Sequence, residues 1–151
     1  MPLHYPKLGP NDVPTYQMSA IPFVTSSGPN AIPGSNSSSA LRIPFRSVTR
    51  FFILNNLGAA PIRIGFTESG VLGIGSPASG SGITALANDN NNYFVLSGAS
   101  TTGRLEIRCK ELFLLGDTTT TSNYSLIAGL TPISDRMFPT LSASNGFEGV
   151  G

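Results

Sequence analysis

Short runs in which apolar and polar residues alternate recur along this chain, and they constrain its fold more than any other feature. Three runs have an apolar residue at every second position: Leu41, Ile43 and Phe45; Ile62, Ile64 and Phe66; Leu105, Ile107 and Cys109. A period of two places every second side chain on the same face of a β-strand. These runs therefore predict strands that bury one face.

Denser apolar runs predict strands that are buried on both faces. They lie at residues 48–55 and 112–115, where the outward apolar side chains serve either a deeper core or subunit contacts. Further strands are predicted for residues 15–25, 71–74, 93–96 and 124–130. Pro22 limits the first of these to an edge or a bend, because proline cannot donate to a central ladder.

Helical periodicity is missing from the chain, and glycine, proline and β-branched residues are spread throughout it. Such a composition disfavours helices and favours short strands. The sequence predicts an all-β fold, a single jelly-roll β-sandwich of about eight antiparallel strands.

The two ends of the chain differ from its middle. Residues 1–14 carry Pro2, Pro6, Pro10 and Pro14 and predict an extended N-terminal arm. Residues 132–151 show no periodicity and predict an irregular C-terminal tail. The jelly-roll domain is expected over residues 15–131. A long loop rich in Gly, Ser and Asn, residues 69–92, interrupts it, and loops of this length are typically functional or mobile.

Charge is scarce, since charged residues make up 11% of the 151 residues and the net charge is +1. A disordered chain needs more charge to stay open, and a free monomer usually needs more to stay soluble. We therefore expect a folded protein whose surface is largely covered by neighbours. The nine basic residues form no run, which predicts no direct contact with nucleic acid. With no signal peptide and no apolar run of about 18 residues, no membrane span is expected.

Catalytic residues are hard to find in this sequence. The only histidine, His4, lies in the proline-rich arm. Cys109 shares a strand face with Leu105 and is expected to be a small buried hydrophobe. Glu106 is expected to pair with the arginines on its own strand face rather than with a second carboxylate. We predict that the protein is not an enzyme.

Metal and cofactor ligands are also scarce. Zinc needs several Cys or His side chains, and the chain has two such residues in all. Asp89 stands among four asparagines and is expected to form a polar loop tip rather than a calcium site. We therefore expect no catalytic, cofactor or metal site.

Several segments, taken together and in order, resemble the penton proteins at the fivefold vertices of large icosahedral eukaryotic DNA viruses (nucleocytoplasmic large DNA viruses). They are PTYQMS at 14–19, IPFVTSS at 21–27, VTRFF at 48–52, IRIGFTE at 62–68, RLEIRCKELFL at 104–114, SLIAGLT at 125–131 and NGFEGVG at 145–151.

This resemblance implies a structural capsid protein with no active site. It implies one jelly roll that forms a homopentamer and plugs the fivefold vertices of the virion. The implied partners are copies of the chain itself, the surrounding trimers of the major capsid protein, and minor capsid proteins. The implied location is the virion capsid, with synthesis and assembly in the host cytoplasm.

The alternative interpretation is that the protein is a binding module rather than a capsid building block. A jelly roll can also serve as the receptor-binding or glycan-binding head of a virion spike, with a site built from loops. Residues 69–92 would then supply the loop, bordered by Tyr93 and Phe94 as the aromatic surface for a sugar. The chain has no tryptophan, which is unusual for such a site.

Overall fold

Two antiparallel β-sheets face each other across a shared core in the computed structural model, which describes residues 9–11, 13–17, 19–28, 31–73, 91–142, 145–147 and 149–151. The elements are α1 (Val13–Gln17), β1 (Ile21–Ser26), β2 (Leu41–Pro44), β3 (Ser47–Asn56), β4 (Ile62–Gly65), α2 (Glu68–Leu72), β5 (Tyr93–Leu96), β6 (Glu111–Gly116), β7 (Tyr124–Ser134) and a 3-10 turn (Asp135–Met137). The predicted all-β class is confirmed.

The strands divide into a three-stranded sheet and a four-stranded sheet. Sheet I has the order β1-β7-β3, and sheet II has the order β2-β6-β4-β5. All strand pairs are antiparallel. Because β1 is the outer strand of sheet I, the edge position predicted from Pro22 is confirmed.

An extended segment, residues 100–109, runs along the other side of β3. The backbone N–H of Phe52 donates to the Leu105 carbonyl at 3.0 Å, and the reverse bond measures 2.9 Å. Elsewhere hydroxyl groups replace backbone partners, since Leu54 N–H donates to Thr102 Oγ1 and Cys109 N–H donates to Thr49 Oγ1. The strand predicted at 104–110 is therefore an irregular segment with isolated bridges rather than a regular strand.

The core lies between the sheets and follows the predicted alternation. Phe52 and Leu54 of β3 are buried, whereas Phe51 and Ile53 on the opposite face are half-buried. The rings of Phe23 and Phe45 meet edge to face with their centroids 5.2 Å apart, a favoured aromatic geometry. The main cluster also contains Ile32, Ile43, Ile62, Ile64, Leu96, Cys109, Leu112, Leu114, Tyr124, Leu126, Ala128 and Leu130.

The outward side of β6 is buried by α2. Val71 of this helix packs with Phe113 and Leu115 in a second apolar cluster. For residues 112–115, the apolar outward face therefore serves a deeper core. The strand predicted at 71–74 is wrong for its first two residues, which belong to α2. Thr67 caps the helix by accepting a hydrogen bond from Gly70 N–H at 3.1 Å.

The N-terminal part of the strand predicted at 15–25 is also wrong. Residues 15–17 belong to α1, where Pro14 occupies the first turn and its missing N–H removes no helical bond. The hydroxyl of Tyr16 donates to the Pro10 carbonyl at 2.8 Å.

At the other end of the chain, β7 continues to Ser134, beyond the predicted strand end at residue 130. Residues 1–8 of the predicted arm and 74–90 of the predicted loop lie outside the described residues. The domain boundaries at 14/15 and 131/132 remain predictions. No helix of the described residues is long and apolar enough to cross a bilayer.

Candidate functional surfaces

Cys109 is buried against β3, as its strand face predicted. Its Sγ lies 3.3 Å from Thr49 Oγ1. Burial raises the pKa of the thiol to about 12, because removal from water disfavours the thiolate. A protonated, buried thiol is a poor nucleophile at neutral pH.

The predicted pairing of Glu106 is confirmed with one of the two arginines. Arg104 Nη2 lies 3.0 Å from Glu106 Oε1. Arg108 instead donates to the Pro10 carbonyl at 3.0 Å, and its guanidinium lies 4.9 Å from the centre of the Tyr16 ring. The two contacts of Arg108 hold the segment against α1 and the chain that precedes it.

Metal ligands do not converge in the described residues, where no group of three or more His, Cys, Asp or Glu side chains is placed to hold an ion. His4 and Asp89 lie outside the described residues. A cleft of about 450 Å³ between α1 and the 100–109 segment has three charged side chains in its lining. Those charges already have partners: Arg50, Glu106 and Arg108 each make an interaction within the chain.

The outer face of sheet I carries a row of apolar side chains, which we call the apolar row: Val24 of β1, Ile127 of β7 and Ile53 of β3. The strand register aligns them directly, since Ile127 is opposite both Val24 and Ile53. Val24 is 66% exposed and Ile127 is 41% exposed. Three β-branched apolar residues therefore stand side by side on a surface that faces away from the core.

The next register position extends the same surface. Pro22, Gly129 and Phe51 are opposite one another on the three strands. The guanidinium of Arg104 lies 4.2 Å above the centre of the Phe51 ring, a distance typical of cation–π contacts. The apolar row is thus continued on one side by a proline and a partly covered aromatic ring.

The two sheets differ in how their outer faces are finished. On sheet II, α2 covers the outward side chains of β6. On sheet I, Val24 and Ile127 remain exposed to solvent. The alternative of a deeper core is therefore confirmed for residues 112–115, and the choice between a deeper core and subunit contacts at residues 48–55 stays a prediction.

A smaller cleft of about 270 Å³ lies beside β5. Aromatic and amide side chains line it, among them Phe66, Asn91, Asn92, Tyr93 and Phe94. Phe94 is 38% exposed, and the Arg63 guanidinium lies 4.5 Å from the centre of the Tyr93 ring. The aromatic pair predicted at the loop border is thus brought together with two asparagines.

No family model, curated protein or solved structure matches this chain. Sequence reasoning missed the apolar row, although Val24 and Ile127 were visible as apolar residues in predicted strands. Their alignment depends on the pairing of β1 with β7, whose residues are about 100 positions apart in the chain.

Proposed function

We propose that this chain is a structural capsid protein that forms a homopentamer and plugs the fivefold vertices of an icosahedral virion. The resemblance of its sequence to penton proteins supplies the class. The observation that carries the assembly function is the exposed apolar row of sheet I. No catalytic role is proposed for any residue.

Strand pairing supports a jelly roll as the building block. If the 100–109 segment is counted as a strand, the described residues contain eight strands in chain order. The first then pairs with the last (β1–β7), the second with the seventh (β2–β6), the third with the sixth (β3 and the segment), and the two middle strands with each other (β4–β5). One long antiparallel ribbon rolled into two sheets has this pairing, which is that of a jelly roll.

The apolar row supports burial against neighbours in a shell. Contiguous apolar surface on a sheet is costly in water and commonly marks a contact with another protein. A chain with 11% charged residues is also poorly equipped to remain dispersed. In a ring each subunit contacts its two neighbours with different patches, so the outward surfaces of the ring remain available to major capsid protein trimers.

The test is the mass of the assembled species, measured by native mass spectrometry. We expect a complex of five 15.8 kDa chains, either for the purified protein or after addition of the major capsid protein trimers. A chain that stays monomeric under both conditions and is missing from the vertices of purified virions would contradict the proposal.

A variant pair tests the apolar row itself. Ile127→Glu places a charge in the middle of the row and is expected to lower incorporation into particles at least tenfold. Ile127→Val keeps the apolar surface and is expected to assemble like the wild-type chain. Equal incorporation of the two variants would rule out the row as a buried contact.

A receptor-binding or glycan-binding head is the second candidate, favoured by the cleft beside β5. Exposed aromatic rings stack on sugar faces, and asparagine amides both donate and accept hydrogen bonds. On a glycan array, we expect binding that Phe94→Ala abolishes and Val95→Ala, on the other face of β5, preserves. An array with no bound glycan would reject this candidate.

A further inference from the structure

One end of the sandwich, which we call the loop end, is almost free of charged residues. Its described residues form four connections, residues 27–28 with 31–40, 57–61, 97–100 and 117–123. Together they contain a single charged residue, Asp117. Its Oδ1 lies 2.7 Å from Arg63 Nε, so this charge is neutralised within the chain.

The connections at the opposite end of the sandwich carry three basic side chains. Arg46 joins β2 to β3, Lys110 precedes β6, and Arg136 follows β7. Charge is therefore distributed unequally between the two ends of the same strands.

The loop end is also rigid. Asn56 is buried at its centre, where its Nδ2 donates to the carbonyls of Ala60 at 2.8 Å and Ser97 at 3.0 Å. Its Oδ1 accepts bonds from Ser122 Oγ at 2.7 Å and Gly58 N–H at 3.1 Å. One side chain thus joins three of the four loops, and the fourth is tied in by the bridge between Ile32 and Ser122.

An apolar side chain projects from this rigid end. Leu57 is 56% exposed, although its own N–H is held by the Asn123 carbonyl at 2.9 Å. Beside it lies a cleft of about 360 Å³ whose lining includes Ala99, Ser100 and Thr101. The exposed leucine and the small residues around it can pack closely against another surface.

We propose that the loop end is the contact through which copies of this chain meet around the rotation axis of their ring, with Leu57 as its apolar anchor. This inference rests on the proposed homopentamer. Residues near a rotation axis face the same residues of their neighbours, so any charge there meets its own sign. Neutral loops avoid that repulsion, and a rigid surface loses little conformational entropy when it binds.

The experiment compares two charged variants at one position. Leu57→Glu and Leu57→Lys, each alone, are expected to shift the ring to the 15.8 kDa monomer in native mass spectrometry. An equal mixture of the two is expected to restore rings that contain both chains, because opposite charges can then meet at up to four of the five neighbouring pairs. Met137→Glu, an exposed apolar position outside the loop end, is the matched control and should leave the ring intact.

Each outcome decides the inference. Rings formed by Leu57→Glu alone overturn it. Loss of rings in both single variants without recovery in the mixture also overturns it, since position 57 would then lie in a contact away from the axis. If the wild-type chain forms no ring under any condition, the proposed function is overturned as well. If the wild-type chain and the Leu57→Glu variant both form rings, only this inference is overturned. Circular dichroism of each variant excludes unfolding as the cause of a lost ring.

Discussion

The side chain of Asn56 accepts a hydrogen bond from the hydroxyl of Ser122 at 2.7 Å, and both residues are buried. Asn56 ends β3, whereas Ser122 lies in the loop before β7. The bond therefore connects two strand ends that are 66 residues apart in the chain. A buried polar pair of this kind costs free energy unless every group is satisfied, and here both amide atoms of Asn56 have partners.

Replacement of Asn56 by alanine should destabilise the fold. The change removes four hydrogen bonds and takes away the acceptor of the buried Ser122 hydroxyl. We expect a loss of about 3 kcal/mol in the free energy of unfolding, measured by urea denaturation. Ser26→Ala is the control, because Ser26 is exposed and its hydroxyl donates to Ser125 Oγ at 3.1 Å near the surface. That variant should change stability by less than about 0.5 kcal/mol. Similar losses in both variants would contradict a central role for Asn56.

Adjacent residues of β7 should respond very differently to truncation. Leu126 points into the core and is 1% exposed, whereas Ile127 belongs to the apolar row. Leu126→Ala should cost about 3 kcal/mol, and Ile127→Ala less than about 1 kcal/mol. Both values should be measured on dilute protein, so that assembly does not add to stability. If Ile127→Ala costs as much as Leu126→Ala, the orientation of sheet I is wrong.

Period-two alternation was the reliable guide to this fold. The strand predicted at 93–96 matches β5, and β4 begins at Ile62, where the predicted alternation of Ile62, Ile64 and Phe66 begins. Alternation also placed Cys109 on the buried side of its segment and Arg104 and Glu106 on the exposed side. These successes share one cause, since burial of one face constrains each residue of a strand directly.

Helix capping and strand pairing determine the features of the fold that the sequence did not predict. The cap residue Thr67 and the left-handed Gly73, with φ of 67°, enclose a helix of only five residues, too short to show a 3.6-residue period. The segment at 104–110 alternates like a strand, yet hydroxyl groups of Thr49 and Thr102 take over backbone positions in its pairing with β3. The loop end and the apolar row depend on which strands become neighbours, which local periodicity does not determine.

The buried thiol of Cys109 should make stability fall at high pH. Its pKa is raised from 9.0 to about 12 by burial. The unfolded chain releases the thiol proton at a lower pH than the folded chain does. The stability that the protonated thiol contributes is therefore complete below pH 9 and is lost as pH rises towards 12. Between pH 9 and 12, each pH unit should raise the unfolding equilibrium constant by up to about tenfold.

Cys109→Ala isolates this effect from other titrating groups. Between pH 8 and pH 10.5, the unfolding equilibrium constant of the wild-type chain should rise roughly 30-fold relative to that of Cys109→Ala. The native wild-type protein should also resist iodoacetamide at pH 8 until denaturant is added. Rapid alkylation of the native protein, or a constant difference between the two chains across this pH range, would show that the thiol is accessible.

Gly129 should tolerate no larger residue, because it lies between two side chains on the outer face of sheet I. A Cβ atom at this position would overlap the Phe51 ring and lie 2.6 Å from the Cβ of Ala20. Gly129→Ala should therefore cost about 2 kcal/mol through overpacking, whereas Gly28→Ala, with open space around it, should cost nothing. The double variant Gly129→Ala with Ala20→Gly removes one of the two overlaps, so it should recover part of the loss. Recovery would show that the chain between α1 and β1 is packed against β7, and a Gly129→Ala variant as stable as the wild-type chain would show that it is not.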